Sequence, residues 1–304
     1  MTKEKPRNMA ASVRDRLRAL AKEQREDFGL VLTRYGLERF LYRLSQSAHG
    51  GTFILKGAML FQLWQGNPHR PTRDLDLLGH GDPDPERVAS VFREVCDQAV
   101  ADDGLTFHAD TVQAEAMKED EEYSGVRVKL QAKLAAARIS IQIDVGFGDA
   151  VVPEPDDISY PTLLDFPAPQ LKAYNRDTVV AEKFQAMVML GIANSRMKDL
   201  YDIWTLANQF EIAGTTLSSA IQATFERRKT ALPEKPPLAL TAEFAEDDQK
   251  RTQWKAFIRK GKLDDAPETL SEVTQQLQAF LMPPVHAIVT GAEFDAKWTA
   301  GGWQ

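Results

Sequence analysis

The sequence predicts an α/β (α+β) protein, a mixed sheet flanked by helices and followed by an all-helical C-terminal domain. Three observations carry this. Short apolar or alternating runs recur up to about residue 147 and read as strands, with helix-spaced segments between them. The stretch from Ala150 to Pro169 then holds five prolines and reads as an irregular crossing. From about Tyr174 onward, apolar residues recur at spacings of three and four, a helical pattern that runs to the end. The break near 165–175 is the expected domain boundary. It gives N-terminal basic helices at 1–48, an α/β domain at 49–170 and a helical domain at 171–304.

The elements follow in order. Leu17, Leu20 and Ala21 predict a helix over 12–28, and Leu37, Phe40, Leu41 and Leu44 predict another over 37–48, ended by His49-Gly50-Gly51. Thr52-Phe53-Ile54-Leu55 is a short buried strand. Gly57 turns the chain into a helix carrying Met59, Leu60, Leu63 and Trp64, which Gly66-Asn67-Pro68 breaks. A strand over Asp74–Leu78, a loop through Gly79-His80-Gly81-Asp82-Pro83 and a helix over 85–102 come next. Strands are expected near 105–115, 124–134 and 138–147. In the last, Ile139, Ile141, Ile143 and Val145 alternate with Ser140, Gln142 and Asp144. A short extended piece at 170–174 leads to helices at 177–191, 197–210, 216–229, 242–260 and 267–281.

Composition narrows the class. A chain of 304 residues with 43% hydrophobic and 27% charged residues is ordinary for a globular protein with a sizeable core. It has no run of 18 apolar residues, so no membrane span is expected, and its charged N-terminus lacks a signal core. The single cysteine, Cys96, lies on the apolar helical stripe of Val88, Phe92 and Val95, where it packs; one thiol forms no internal disulfide and fits a cytoplasmic protein. The net charge of −7 argues against a surface that grips nucleic acid everywhere. The charge is uneven, however. Residues 1–43 hold eleven Lys/Arg against six acids (Lys3, Lys5 and Arg7 first, then Arg14, Arg16 and Arg18), and Arg227-Arg228-Lys229 and Lys250-Arg251 with Lys255–Lys262 form further clusters. These are either solvated helix faces or phosphate contacts.

The chemistry concentrates in Lys56-Gly57-Ala58 and Arg70-Pro71-Thr72-Arg73-Asp74-Leu75-Asp76. Strand alternation points Asp74 and Asp76 one way and Leu75 and Leu77 into a core. Paired carboxylates on one strand face suit hard divalent cations, which clamp triphosphates. Asp144, on the polar face of its own strand, is a candidate third carboxylate. Lys183 falls on the apolar stripe of Val179, Val180, Met187 and Leu190, where it either snorkels to the rim or carries charge into a cleft. Asp199 lies in line with Ile203 and Leu206, and the Ala193-Asn194-Ser195 link makes a Lys183–Asp199 ion pair the structural alternative.

The order Lys56-Gly57, Arg70-x-Thr72-x-Asp74-x-Asp76, Asp144, Glu182-Lys183 and Lys198-Asp199-x-x-Asp202 resembles the AbiEii/AbiGii-type nucleotidyltransferase toxins, a group that includes the MenT toxins within the polymerase-β-like nucleotidyltransferase superfamily. The resemblance covers about residues 50–210. It implies a minimal nucleotidyltransferase sheet joined to a helical domain, and Mg2+-dependent transfer (Mn2+ can substitute) of a nucleotide from an NTP, with a tRNA 3′ end as acceptor for some members. It implies a cognate antitoxin protein and a role in toxin–antitoxin or phage-defence systems. It also implies catalytic Asp74, Asp76, Asp144, Lys183 and Asp199, metal ligation by Asp74, Asp76 and Asp144, and nucleotide binding by Lys56, Gly57, Arg70, Thr72 and Lys183. Gly57-Ala58 departs from the usual Gly-Gly or Gly-Ser; Ala58 keeps the amide but loses the hydroxyl that would approach phosphate. Two other functions stay open beside this one: nucleotidyl transfer to a small molecule or protein, and a non-catalytic nucleotide-binding module.

Overall fold

The computed structural model describes residues 8–66, 69–120 and 123–304; Lys3, Lys5 and Arg7 and the Asn67-Pro68 break lie outside them. Two compact units emerge, one from residues 1–148 with 156–173, the other from 149–155 with 174–304.

In the first unit, Asn8 caps α1 (Met9–Glu23), and the side chain of Asp27 accepts from the Leu30 amide to start α2 (Phe28–Gln46). The second helix thus begins nine residues earlier than Leu37. Gly36 sits where a Cβ would come within 3.2 Å of Ile139, so it lets α2 approach the sheet. The strands are β1 (Phe53–Lys56), β2 (Asp74–Gly79), β3 (Leu105–Asp120), β4 (Tyr123–Leu134), β5 (Ala137–Phe147), β6 (Asp156–Ser159) and β7 (Gln170–Ala173). They form one sheet in the order β3-β4-β5-β2-β1-β7-β6, in which β2–β5 and β1–β7 are parallel and the other pairs antiparallel. The sheet is mixed, as expected. Between β1 and β2 lies α3 (Met59–Gln65), closed by left-handed Gly66. After β2 comes α4 (Pro85–Asp97), five residues shorter than expected.

One sheet face is apolar. Leu75 and Leu77 of β2, Ile139–Val145 of β5 at alternate positions, and Val126, Val128 and Leu130 of β4 are all buried, with Phe40 of α2 and Phe92 of α4 meeting edge-on at 5.5 Å among the helices. A charged centre lies in this core. Arg39 Nε donates to Asp103 at 3.0 Å, and both Arg43 terminal nitrogens donate to the same carboxylate at 2.7 and 3.0 Å. Burial by itself would raise the Asp103 carboxyl, but the Arg43 hydrogen bonds and charge, with help from Arg39, hold it below the usual range. Arg39 and Arg43 therefore leave the N-terminal basic surface that their sequence positions suggested.

The second unit comprises α5 (Arg176–Leu190), α6 (Met197–Gln209), α7 (Gly214–Arg227), α8 (Ala242–Glu246), α9 (Asp248–Gly261) and α10 (Leu270–Thr290). The single helix expected over 242–260 is two, split at Asp247, whose extended ψ of 129° ends one and whose carboxylate caps the next. Conversely, α10 runs nine residues past 281, through Pro283 and Pro284, because Val285 and Ala287 continue the buried stripe of Leu277, Phe280 and Leu281. The unit is not all helical. Ile212–Ala213 (β8), Lys297–Thr299 (β9) and Gly302–Trp303 (β10) make a small antiparallel sheet, strands too short to carry periodicity. Trp298 and Trp303 fix it, their indoles donating to the carbonyls of Ala207 at 2.6 Å and Phe280 at 3.0 Å. No described helix is long and apolar enough to cross a membrane.

Candidate active site

The face of the sheet opposite the core is polar, and strand register orders its charges. Asp76 of β2 lies beside Lys56 of β1 on one side and Asp144 of β5 on the other. Arg127 of β4 lies beside Asp144, and Glu115 of β3 beside Arg127. Partners in register share a sheet face. The result is a row Lys56–Asp76–Asp144–Arg127–Glu115 across five strands. One step along, Asp74 pairs in register with Gln142. Asp74 is exposed, and Asp76 and Asp144 are half-buried, between buried Leu75, Leu77, Ile143 and Val145.

Gly57 closes the row at β1. Its φ of +79° is left-handed, and a Cβ there would collide with the Asp76 carboxylate. Only glycine fits both demands, so the Lys56-Gly57 turn is shaped around Asp76. Beside β2, the Thr72 hydroxyl donates to the Asp74 carbonyl at 3.4 Å, which directs Thr72 to the backbone. Arg70 is half-buried just ahead of the strand.

Asp144 is already engaged. Arg127 Nε and a terminal nitrogen each donate to one of its oxygens at 2.8 Å, a two-pronged fork. The hydrogen bond to Asp144 pushes the Arg127 guanidinium further up, against partial burial. Among the described residues, no three His, Cys, Asp or Glu side chains converge to hold a metal. The third carboxylate expected from the sequence, Asp144, lies in register beside Asp76 and is held by the Arg127 fork. Asp74 and Asp76 remain a fitting donor set for Mg2+, which takes one or two carboxylates, waters and substrate phosphates. Sequence reasoning missed Arg127. Its signal was present in Val126-Arg127-Val128-Lys129-Leu130, where alternation puts Arg127 on the polar face.

Lys183 and Asp199 belong to the second unit, and they do meet. Lys183 Nζ lies 2.6 Å from Asp199 Oδ1 and 2.8 Å from Asp202 Oδ2. The carboxylates are 1% and 0% exposed and Lys183 12%. Arg196 Nε stands 2.6 Å from the other Asp199 oxygen, which accepts no aligned hydrogen bond. Burial would raise the Asp199 carboxyl, but Lys183 and then Arg196 outweigh it and hold it low, against a smaller opposing push from Asp202. Asp202 thus joins the pair foreseen from sequence. In the basic clusters, Lys250 is buried, donating to the Asn194 carbonyl at 2.9 Å, and Arg228 is bound to Asp149 at 2.8 Å and Glu182 at 3.4 Å.

Comparison with known proteins establishes the class. A family model described as "Nucleotidyl transferase AbiEii toxin, Type IV TA system" matches residues 39–283. The chain belongs to that family, the nucleotidyltransferase toxins of type IV toxin–antitoxin systems. Membership implies an NTP substrate and an antitoxin partner. Among solved structures, the chain is similar to a candidate nucleotidyltransferase from H. pylori, with 15% identity and a TM-score of 0.48, covering 84% of this chain and 94% of that one. It is also similar to JHP933 from Helicobacter pylori, with 14% identity and a TM-score of 0.44, covering 83% and 90%. No curated protein matches.

Proposed function

We propose that this toxin is a cytoplasmic, Mg2+-dependent nucleotidyltransferase that moves a nucleotide from an NTP to an RNA acceptor such as a tRNA 3′ end. The observation that carries the reading is the acid pair Asp74/Asp76 on the polar sheet face, with Gly57 shaped around Asp76 and Lys56 beside it. Asp74 and Asp76 would hold Mg2+ (or Mn2+), which when bound neutralises phosphate charge. In the reaction, an acceptor hydroxyl oxygen bonds to the α-phosphorus, pyrophosphate leaves, and the hydroxyl proton passes to a nearby carboxylate or water. Lys56, Arg70 and the Gly57 and Thr72 backbone are assigned to the nucleotide. The Arg127 fork matches phosphate as well as carboxylate geometry, so a triphosphate that competes for it frees Asp144 to accept that proton or add a ligand. Lys183 is assigned to triphosphate charge, and Asp199 positions it.

The test is incubation with α-labelled NTPs, Mg2+, total RNA and small-molecule extract. Wild type is expected to label RNA, and Asp74→Ala or Asp76→Ala to lose labelling by orders of magnitude while losing no more than about 1–2 kcal/mol of stability, since no packed apolar group is removed. Normal turnover in either variant with Mg2+ present removes the metal assignment. Label in a small molecule alone removes the RNA acceptor.

A further inference from the structure

Strand β5 is longer than its neighbour. Register with β2 begins at Asp74–Gln142, so residues 138–141 have β4 on one side and no strand on the other. This notch opens into a groove of about 510 Å³. Asp74, Arg73 and Lys129 stand at one end, Lys129 and Asp74 both in register with Gln142, Arg138 stands at the other, Ser140 lies between them, and Thr33 of α2 also lines the groove. From the level of Asp74 to Arg138 is four residues of strand, about 13 Å at roughly 3.3 Å per residue.

The charges in the groove are poorly compensated. Asp74 is its one acid. Arg73 and Arg138 make no hydrogen bond or ion pair among the described residues, and Lys129 meets only Glu115, in a pair more than half exposed on both sides, which is worth little. Directly opposite Arg138 in the β4–β5 ladder stands Lys133, also without a partner among the described residues. Like charges facing each other across a ladder disfavour the fold. An anion lying between them would offset that cost.

We infer that this groove seats the 3′-terminal, single-stranded segment of the acceptor RNA by its backbone phosphates, with the terminal hydroxyl delivered toward Asp74. The inference rests on the RNA-acceptor reading above. A backbone polyanion fits because the cations are spread along the groove rather than gathered around one phosphate. The contacts are to phosphate and carry no base readout. The segment that enters must be unpaired, since the notch is one strand wide.

The test uses full-length protein, a fluorescein-labelled single-stranded RNA oligonucleotide read by anisotropy across a salt series, and equilibrium binding of labelled NTP. Arg138→Glu is expected to weaken RNA binding by about tenfold at low salt and to reduce the slope of log K against log salt by about 1. NTP affinity should be unchanged, and the control Arg93→Glu on α4 should alter neither. Should Arg138→Glu not fold, Arg138→Gln should show a smaller loss in the same direction. Unchanged RNA affinity and slope, in a protein whose wild type binds RNA, overturns the groove assignment, leaves the RNA reading standing and gives the open strand edge to a protein segment. Loss of NTP affinity with RNA binding intact also overturns it and assigns the cations to the triphosphate. A wild type that neither binds nor labels RNA removes the acceptor reading itself, and the inference falls with it.

Discussion

Asp103 and Asp144 lie in the same unit and each holds an arginine fork, but their surroundings differ. Asp103 takes Arg39 and Arg43 together, with all three side chains at most 6% exposed. Asp144 takes Arg127 alone, at 19% and 36% exposure. The first centre has further inward bonds: Arg39 also donates to the Pro167 carbonyl at 2.8 Å, and the Tyr35 hydroxyl donates to the Asp103 carbonyl at 2.7 Å. In the second, the fork lies on an open face within a row of acids. Burial decides what the same ion pair is for. Desolvated and bonded by two arginines, it ties α2 to the start of β3 within the core; half-solvated, it is cheap to open and can exchange partners.

Removing each acid separates the two most sharply. Asp103→Ala strands two buried guanidinium groups and is expected to cost about 3–5 kcal/mol in denaturant unfolding. Asp144→Ala opens a partly exposed pair and should cost about 1 kcal/mol or less, while nucleotide transfer falls severely. Equal stability losses would show that the Arg127–Asp144 pair is a second structural tie and not part of the working face.

The Lys183 centre lies between these extremes, with buried carboxylates and a lysine that reaches the rim. Lys183→Met keeps the apolar stripe and removes the cation that the buried Asp199 and Asp202 carboxylates share, so roughly 3 kcal/mol of stability should be lost. If Lys183 also neutralises triphosphate charge, the protein that remains folded is inactive. Melting temperature and transfer, measured on one preparation well below the transition, distinguish this from a purely structural lysine, for which the folded fraction retains full specific activity.

What was legible in the sequence follows the same division. The strands bearing Asp74, Asp76 and Asp144 were readable because their partners are two residues away on the same strand, and alternation alone fixes their face. Arg39 and Arg43 read as surface charge because the acid that buries them lies 64 and 60 residues away in sequence. Lys250 misled in the same way, its acceptor being the Asn194 carbonyl 56 residues distant. Charge in a sequence carries no depth; depth comes from the tertiary partner. Arg127 falls between the two cases, its face set by local alternation but its partner Asp144 known only once β4 and β5 are in register.

The smallest effect sharpens the comparison within the buried centre itself. Glu38 lies beside Arg39, yet burial pushes its carboxyl up to about 7, against the Leu163 amide that donates to it at 2.7 Å and the Arg39 charge, with Asp103 adding to the rise. The folded protein therefore holds the Glu38 proton more tightly than the unfolded chain, whose carboxyl titrates near 4.5. Stability from this group is fully present below about 4.5 and declines as pH rises toward 7. Asp103 acts in the opposite sense: held low, it contributes stability at neutral pH that is lost as pH falls into the acid range. Glu38→Gln keeps an acceptor for the Leu163 amide and removes the titration. Its melting temperature relative to wild type should then rise steadily between pH 4.5 and 7 and level off above that. A constant difference across that window would mean that Glu38 is ionised throughout, and that Arg39 is divided between two charged carboxylates rather than committed to Asp103.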